Sequence, residues 1–178
     1  MMPLGPRLAM VEGGERHRLP FDPVEEAARQ WAHHWAEMPR MRAVTSLMRV
    51  HQLVLTELDE LLRPLGLTFA RYEVLVLLAF SRRGSLPLGK IGERLQVHAT
   101  SVTPLVKRLE AAELITRTPH PEDRRAVLAA ITPRGRALLE EATQTIVAAR
   151  FGLGSLSEEE CDLLTRLLTR PRSAAGDF

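Results

Sequence analysis

Between positions 100 and 108 the chain places Thr100, Ser101, Thr103, Pro104, Lys107 and Arg108 among the apolar residues Val102, Leu105, Val106 and Leu109. At about 100° per residue, a helix that turns those apolar residues inward points Thr100, Thr103, Pro104 and Lys107 outward, with Ser101 and Arg108 on the flanks. Hydroxyls and cations on one helical face suit flat polar edges and phosphates, the recognition chemistry of the DNA major groove. The proline ring there can meet thymine methyls or stiffen the helix entry. A second group follows in the segment PHPEDRR, where Asp123, Arg124 and Arg125 close a proline-rich stretch. Asp123 and Arg125 are two apart, so in an extended strand they share a face and the carboxylate can hold the guanidinium outward. An arginine oriented in this way suits a narrow minor groove, where negative potential is enhanced.

Catalysis has little to stand on. The chain lacks a nucleophile motif with Ser, His and Asp, a glycine-rich phosphate loop and paired cysteines, so no enzyme activity and no cofactor are expected. No metal site is expected either, because His33 and His34 are adjacent and diverge by about 100° on a helix. Cys161 is the only cysteine among 178 residues. It excludes an intrachain disulfide, points to a reducing cytoplasm, and falls among Leu163, Leu164, Leu167 and Leu168 as a small packed hydrophobe. No apolar run approaches the roughly 18 residues that span a bilayer, so a soluble, cytoplasmic protein without membrane contact is expected. Net charge is only +2. A nucleic-acid reading therefore depends on where the basic residues lie, and they gather from Arg82 to Arg125 while the run Glu158 to Glu160 lies outside.

The elements needed to position these residues follow from periodicity and breakers. Asp22 with Pro23 opens a helix running to about Trp35, before Pro39 interrupts. A long helix from Met41 to Arg63 carries Val44, Leu47, Met48, Val54, Leu55, Leu58, Leu61 and Leu62, with His51 on the same stripe, until Pro64. Thr68 caps a helix with Tyr72, Leu75, Val76 and Leu78 that ends at Gly84. Pro87 starts a short helix, Gln96 to His98 form the turn, and the helix with the outward hydroxyls starts at Ala99 or Thr100, which puts Pro104 within about its first turn. Ile115 to Thr118 and Ala126 to Ile131 then form a hairpin around the basic tip. Thr132 with Pro133 opens a long helix that Gly152 and Gly154 end. Ser157 and Glu160 form a capping box for a last helix that stops at Pro171.

These blocks carry a resemblance. TSVTPLVKRLEAAELITR, PEDRRAVLAAITPRGRALL and LTFARYEVLVLLA are similar to the MarR family of winged helix-turn-helix transcriptional regulators, and the likeness runs from about Met41 to Arg170. The resemblance implies a mainly α fold with a small β wing: a winged helix-turn-helix domain with N- and C-terminal dimerisation helices. It implies a recognition helix contributing Thr100, Ser101, Thr103 and Lys107, and a wing-tip Arg125 braced by Asp123. The corresponding organisation is a mobile arm over 1–20, N-terminal dimerisation helices over 21–66, the DNA-binding domain over 67–135, C-terminal dimerisation helices over 136–171 and a flexible tail over 172–178. Glu113 departs from the family's usual glycine, and a left-handed backbone there would cost roughly 1 kcal/mol.

The function implied is a sequence-specific regulator, most often a repressor, binding double-stranded DNA as a homodimer over a pseudo-palindromic operator and released by a small aromatic or anionic effector. Trp31, His51 and Glu73 are the candidate effector residues. The added first helix resembles that of the urate-responsive branch, with Trp31 and Glu73 in the matching places, but Leu105 stands where that branch has an arginine in the recognition helix. Trp31 and Trp35 could equally pack against the long helix, and His51 could be a core or dimer-contact residue. Cys161 lies in the last helix, away from where a peroxide-sensing thiol would be. Two other classes remain open: an architectural or non-specific DNA-binding protein without an effector, and a winged helix used for protein contacts.

Overall fold

In the computed structural model residues 19–121, 123 and 126–178 are described, and of residues 99 and 100 the backbone alone. The expected arm over 1–20 lies outside them except for Leu19 and Pro20. Contacts cluster into two compact units, Met1–Val50 and His51–Phe178, divided within the longest helix.

In the first unit, Asp22 caps α1 (Pro23–Ala32) by accepting from the Val24 and Glu25 amides at 2.8 and 3.4 Å. The helix stops short of Trp35 because the chain turns there: the Trp31 indole donates to the Ala36 carbonyl at 2.8 Å and Glu37 adopts a left-handed φ of 61°. The next helix, α2 (Met38–Leu62), begins before Pro39 rather than after it. At the second helical position a proline sacrifices an N–H that has no helical partner in any case, so it starts the helix instead of interrupting it.

The second unit takes in the rest of α2, a 3₁₀ turn at Arg63–Leu65 that contains Pro64, α3 (Phe69–Phe80), β1 (Ser85–Pro87), α4 (Leu88–Leu95), α5 (Ala99–Ala111), β2 (Ile115–Pro119), β3 (Val127–Ile131), α6 (Pro133–Ala148), a 3₁₀ turn at Arg150–Gly152 and α7 (Glu158–Ala174). Thr68 caps α3 through the Arg71 amide, and Asp59 accepts from the Phe69 amide at 2.6 Å. Leu62, Val74, Leu75, Leu78, Ile91, Val106, Leu109, Ile115, Ala142 and Ile146 form a single buried cluster at the centre of the unit. Together with Ala129 of β3 it draws on α2, α3, α4, α5, β2 and α6, so the helix-turn-helix, the sheet and α6 share one apolar core.

The sheet has three strands in the order β1-β3-β2, both pairings antiparallel. Ile115 faces Ile131 and Pro119 faces Val127 across the wing, as the hairpin reading expected. The third strand, Ser85 to Pro87 against Ala130 to Leu128, is an addition to that reading. It is three residues long and ends in proline, which a strand tolerates at a sheet edge.

Two close fits hold the sheet to α6. Glu113 takes the left-handed φ of 59° that its place after α5 requires, its carbonyl accepts from the Thr132 hydroxyl at 2.9 Å, and its carboxylate pairs with Arg134 at 2.9 Å. Gly135, whose amide bonds the Thr132 capping hydroxyl at 2.9 Å, lies directly against the Leu114 carbonyl, where no Cβ could be placed.

Two further helix ends and the depth of one proline differ from expectation. α6 ends at Ala148, ahead of Gly152 and Gly154. Pro104 is the sixth residue of α5 rather than part of its first turn, because Ala99 begins the helix through the bond from the Ser101 amide to the His98 carbonyl at 2.8 Å. The buried Val102, Val106 and Leu109 keep the helix intact past the hydrogen bond that Pro104 cannot make. Pro171 likewise sits inside α7, which continues to Ala174, and Asp177 beyond it pairs with Arg172 at 2.6 Å. Cys161 is half-buried rather than fully packed, and Leu163 and Leu167, on another side of α7, are exposed.

Candidate nucleic-acid interface

Gln96 closes α4 in a left-handed conformation with φ 52°, its amide returning to the Gly92 carbonyl, and Val97 repeats that bond at 3.1 Å. His98 then precedes α5 and accepts its first amide bond, from Ser101. The turn places α5 across α4 with Val102, Val106 and Leu109 at most 2% exposed, while Ser101, Thr103, Pro104, Lys107 and Arg108 are exposed on the other side. The structure thus brings five of the six helix candidates onto solvent-facing positions. Thr100 is in the helix, and its side chain lies outside the described residues. Leu105 is half-buried against the core, so an inward-leaning apolar residue stands where the urate-responsive branch has a charged one.

The exposed face carries uncompensated positive charge. Neither Lys107 nor Arg108 makes an ion pair among the described residues. Behind them Arg71 is held below its ordinary pKa, chiefly by burial and then by the nearby Arg108 guanidinium, with Asp59 partly offsetting both. Arg71 was not among the residues singled out from sequence, because one arginine near a helix start carries no signal until the neighbouring helix is placed.

The wing is tied to α5 by a second pair that periodicity does not reveal. Arg117 Nε on β2 donates to the Glu110 carboxylate on α5 at 2.7 Å, and the same bond raises the Arg117 pKa. At the tip, the His120 amide donates to the Ala126 carbonyl and the Ala126 amide to the Asp123 carbonyl, each at 3.0 Å, closing the loop. Asp123 is exposed and partnered. Arg124 and Arg125, and with them the proposed brace, lie outside the described residues.

Away from this face, α3, α6 and the end of α4 line an open cleft of about 930 Å³. Phe69, Val76, Phe80, Leu139 and Phe151 give it apolar walls, and Arg94, Arg136, Glu73 and Glu140 supply charge. Glu73 is half-buried, and burial raises its carboxyl above the usual carboxylate range. The Tyr72 and Thr143 hydroxyls meet at 3.2 Å between the same helices. Of the other effector candidates, His51 is exposed on α2, which rules out a core role within this chain. Trp31 belongs to the first unit, its ring centroid 4.8 Å from that of Trp35 at an angle of 49°. No three His, Cys, Asp or Glu residues among those described could hold a metal ion.

Against known proteins, the profile of the MarR family matches residues 67–127, from the start of α3 to the wing. The HTH-type transcriptional repressor MdtR of Bacillus subtilis is 35% identical over 117 residues, covering 65% of this chain and 74% of its own length. This chain belongs to the MarR family. As a MarR-family protein it is a winged helix-turn-helix transcriptional regulator and not an enzyme. Its fold matches the crystal structure of Sco5413, a MarR family transcriptional regulator from Streptomyces coelicolor, at a TM-score of 0.74 with 51% identity, covering 79% of this chain and 97% of that one. A mutant MarR from E. coli complexed with operator DNA matches at 0.63 with 26% identity, over 71% of this chain and 90% of that one.

Proposed function

We propose that this MarR-family regulator is a sequence-specific repressor, binding a pseudo-palindromic operator as a homodimer and released by a small-molecule effector. The observation that carries the DNA-reading part is the two-faced α5, with Val102, Val106 and Leu109 buried and Ser101, Thr103, Pro104, Lys107 and Arg108 exposed. Thr100, Ser101 and Thr103 read base edges, Lys107 and Arg108 contact phosphate, and Arg125, braced by Asp123 and flanked by Arg124, enters the minor groove. The E. coli relative bound to operator DNA and the repressor from B. subtilis support the same assignment.

The homodimer rests on apolar surface that none of the described residues covers. Val44, Leu47, Met48, Val50 and Leu53 of α2 are exposed, as are Val147 of α6 and Leu163 and Leu167 of α7. Helices of residues 21–66 and 136–171 are assigned to the dimer and residues 67–135 to DNA, which sets half-sites about one helical turn apart. The effector site is the cleft between α3 and α6, where a carboxyl raised by burial and two arginines face aromatic walls. Among the described residues no helix is long and apolar enough to cross a membrane, in keeping with a cytoplasmic site of action. Selecting bound sequences from a random duplex pool tests the reading. An inverted repeat with half-sites about one turn apart is expected, and recovery of no common sequence would indicate non-specific binding instead.

A further inference from the structure

The end of α7 turns back toward the reading head. The Ala175 amide returns to the Pro171 and Arg172 carbonyls, Gly176 adopts a left-handed φ of 73°, and the Asp177 amide reaches the Arg172 carbonyl at 3.1 Å. This closure folds the chain over the helix terminus, and its left-handed position favours glycine. It brings the Asp177 side chain onto Gln96. One carboxylate oxygen accepts from the Gln96 side-chain Nε2, the other from Arg172 Nε at 2.6 Å, and the Arg172 guanidinium lies 5.2 Å from the centre of the Phe178 ring. Only 16% of the Asp177 side chain is exposed, although its neighbours on both sides are open to solvent.

Gln96 is the residue that turns α4 into α5. Its left-handed backbone and the bonds from Gln96 and Val97 to Gly92 set the angle between the two helices. A lone carboxylate is poorly placed there, because the C-terminal end of α4 carries partial negative charge. Arg172 removes that difficulty by docking with Asp177, so the acid arrives as a neutralised pair. The contact spans 81 positions of sequence, linking the last helix to the helix-turn-helix.

We infer that Asp177, held by Arg172, is a positioning residue that ties the end of α7 to the helix-turn-helix and sets the angle at which α5 is presented. The inference rests on the reading above, in which α5 enters the major groove and α7 belongs to the dimer. Leu163 and Leu167 leave one face of α7 exposed for a second copy, so the helix that makes the tie also makes the dimer contact. A fixed angle between reading head and dimer gives an operator a strict half-site spacing. Releasing the tie relaxes that strictness.

The test compares the full chain with Asp177→Ala and Arg172→Ala. Two measurements are made: hydrogen exchange of the Val97 amide without DNA, and affinity for the selected operator, for copies with spacing changed by one base pair, and for random duplex. In both variants Val97 exchange should rise about tenfold and operator affinity should fall about three- to tenfold, the loss expected from one solvent-accessible side-chain hydrogen bond. Random-duplex affinity should stay constant and the penalty for altered spacing should shrink, which a merely stabilising contact would not produce. Unchanged exchange would overturn the tie. Faster exchange with an unchanged spacing penalty would overturn its role in positioning. A wild-type chain with no spacing preference would instead overturn the DNA reading itself, before any variant is compared.

Discussion

Gly135→Ala should destabilise the protein although alanine is the better helix former. A methyl group at Gly135 would overlap the Leu114 carbonyl oxygen outright and lie 3.0 Å from both the Leu114 carbonyl carbon and Ile131 Cγ1. Relief requires movement of backbone, since the worst contact is not a flexible side chain. That backbone is held from two sides: the Leu114 amide bonds the Leu109 carbonyl at 3.0 Å, and the Leu114 carbonyl accepts from the Thr132 amide at 3.1 Å. Overpacking against an immobile neighbour costs about 1–3 kcal/mol, and weakening the Thr132 bond adds about 1 kcal/mol. The gain in helix propensity returns at most about 1 kcal/mol. The upper part of the range applies because no rotamer change can help, giving a net loss of about 3 kcal/mol. For a chain of this length that corresponds to a Tm lower by roughly 6–12 °C. Gly89→Ala is the control, because Gly89 is exposed in α4 with no atom within 4 Å of the added methyl. It should stabilise by about 0.4–1 kcal/mol. Both are read by thermal unfolding at one protein concentration, since dimerisation makes Tm concentration-dependent. A Gly135→Ala protein as stable as wild type would refute the close fit of α6 against the strand.

Other outcomes follow from the same structure. Lys107→Ala should weaken binding about equally on operator and random duplex and lower the slope of log affinity against log salt by about 0.9, measured by salt titration. Leu163→Glu combined with Leu167→Glu should give a monomer in sedimentation equilibrium, whereas an intact dimer would place the interface elsewhere. Glu73 has a folded pKa raised by burial, so its ionisation opposes folding. Stability from the protonated group is fully present below the unfolded carboxyl pKa and is lost as pH rises through the higher folded value. Glu73→Gln should therefore raise Tm at neutral pH and leave it nearly unchanged in acid.

Much of the reading head was legible because its signals are local. The spacing of Val102, Val106 and Leu109 defines both faces of α5, and Thr68, Thr132 and the Ser157 with Glu160 box mark helix starts that hydrogen bonds confirm. What was not legible depends on partners far away in sequence. The segment Ser85 to Pro87 is too short and too proline-marked to read as a strand until β3 lies beside it. Glu110 with Arg117, and Asp177 with Gln96, are ordinary surface residues until the fold brings each pair together. Proline was overread as a stop at Pro39 and Pro171, and Pro104 lies deeper in α5 than expected; all three lie inside helices, where tertiary packing or a terminal position compensates for the missing N–H.

Sequence reading is assigned to the exposed face of α5. The most direct measurement is the ratio of affinities for the selected operator and for random duplex at one near-physiological salt concentration, with wild type and Thr103→Val side by side. A ratio of roughly 10³ or more for wild type is expected. Losing the hydroxyl should reduce that ratio while leaving the random-duplex affinity in place. A wild-type ratio near one, or a ratio that Thr103→Val leaves untouched along with every other α5 substitution, would contradict that assignment.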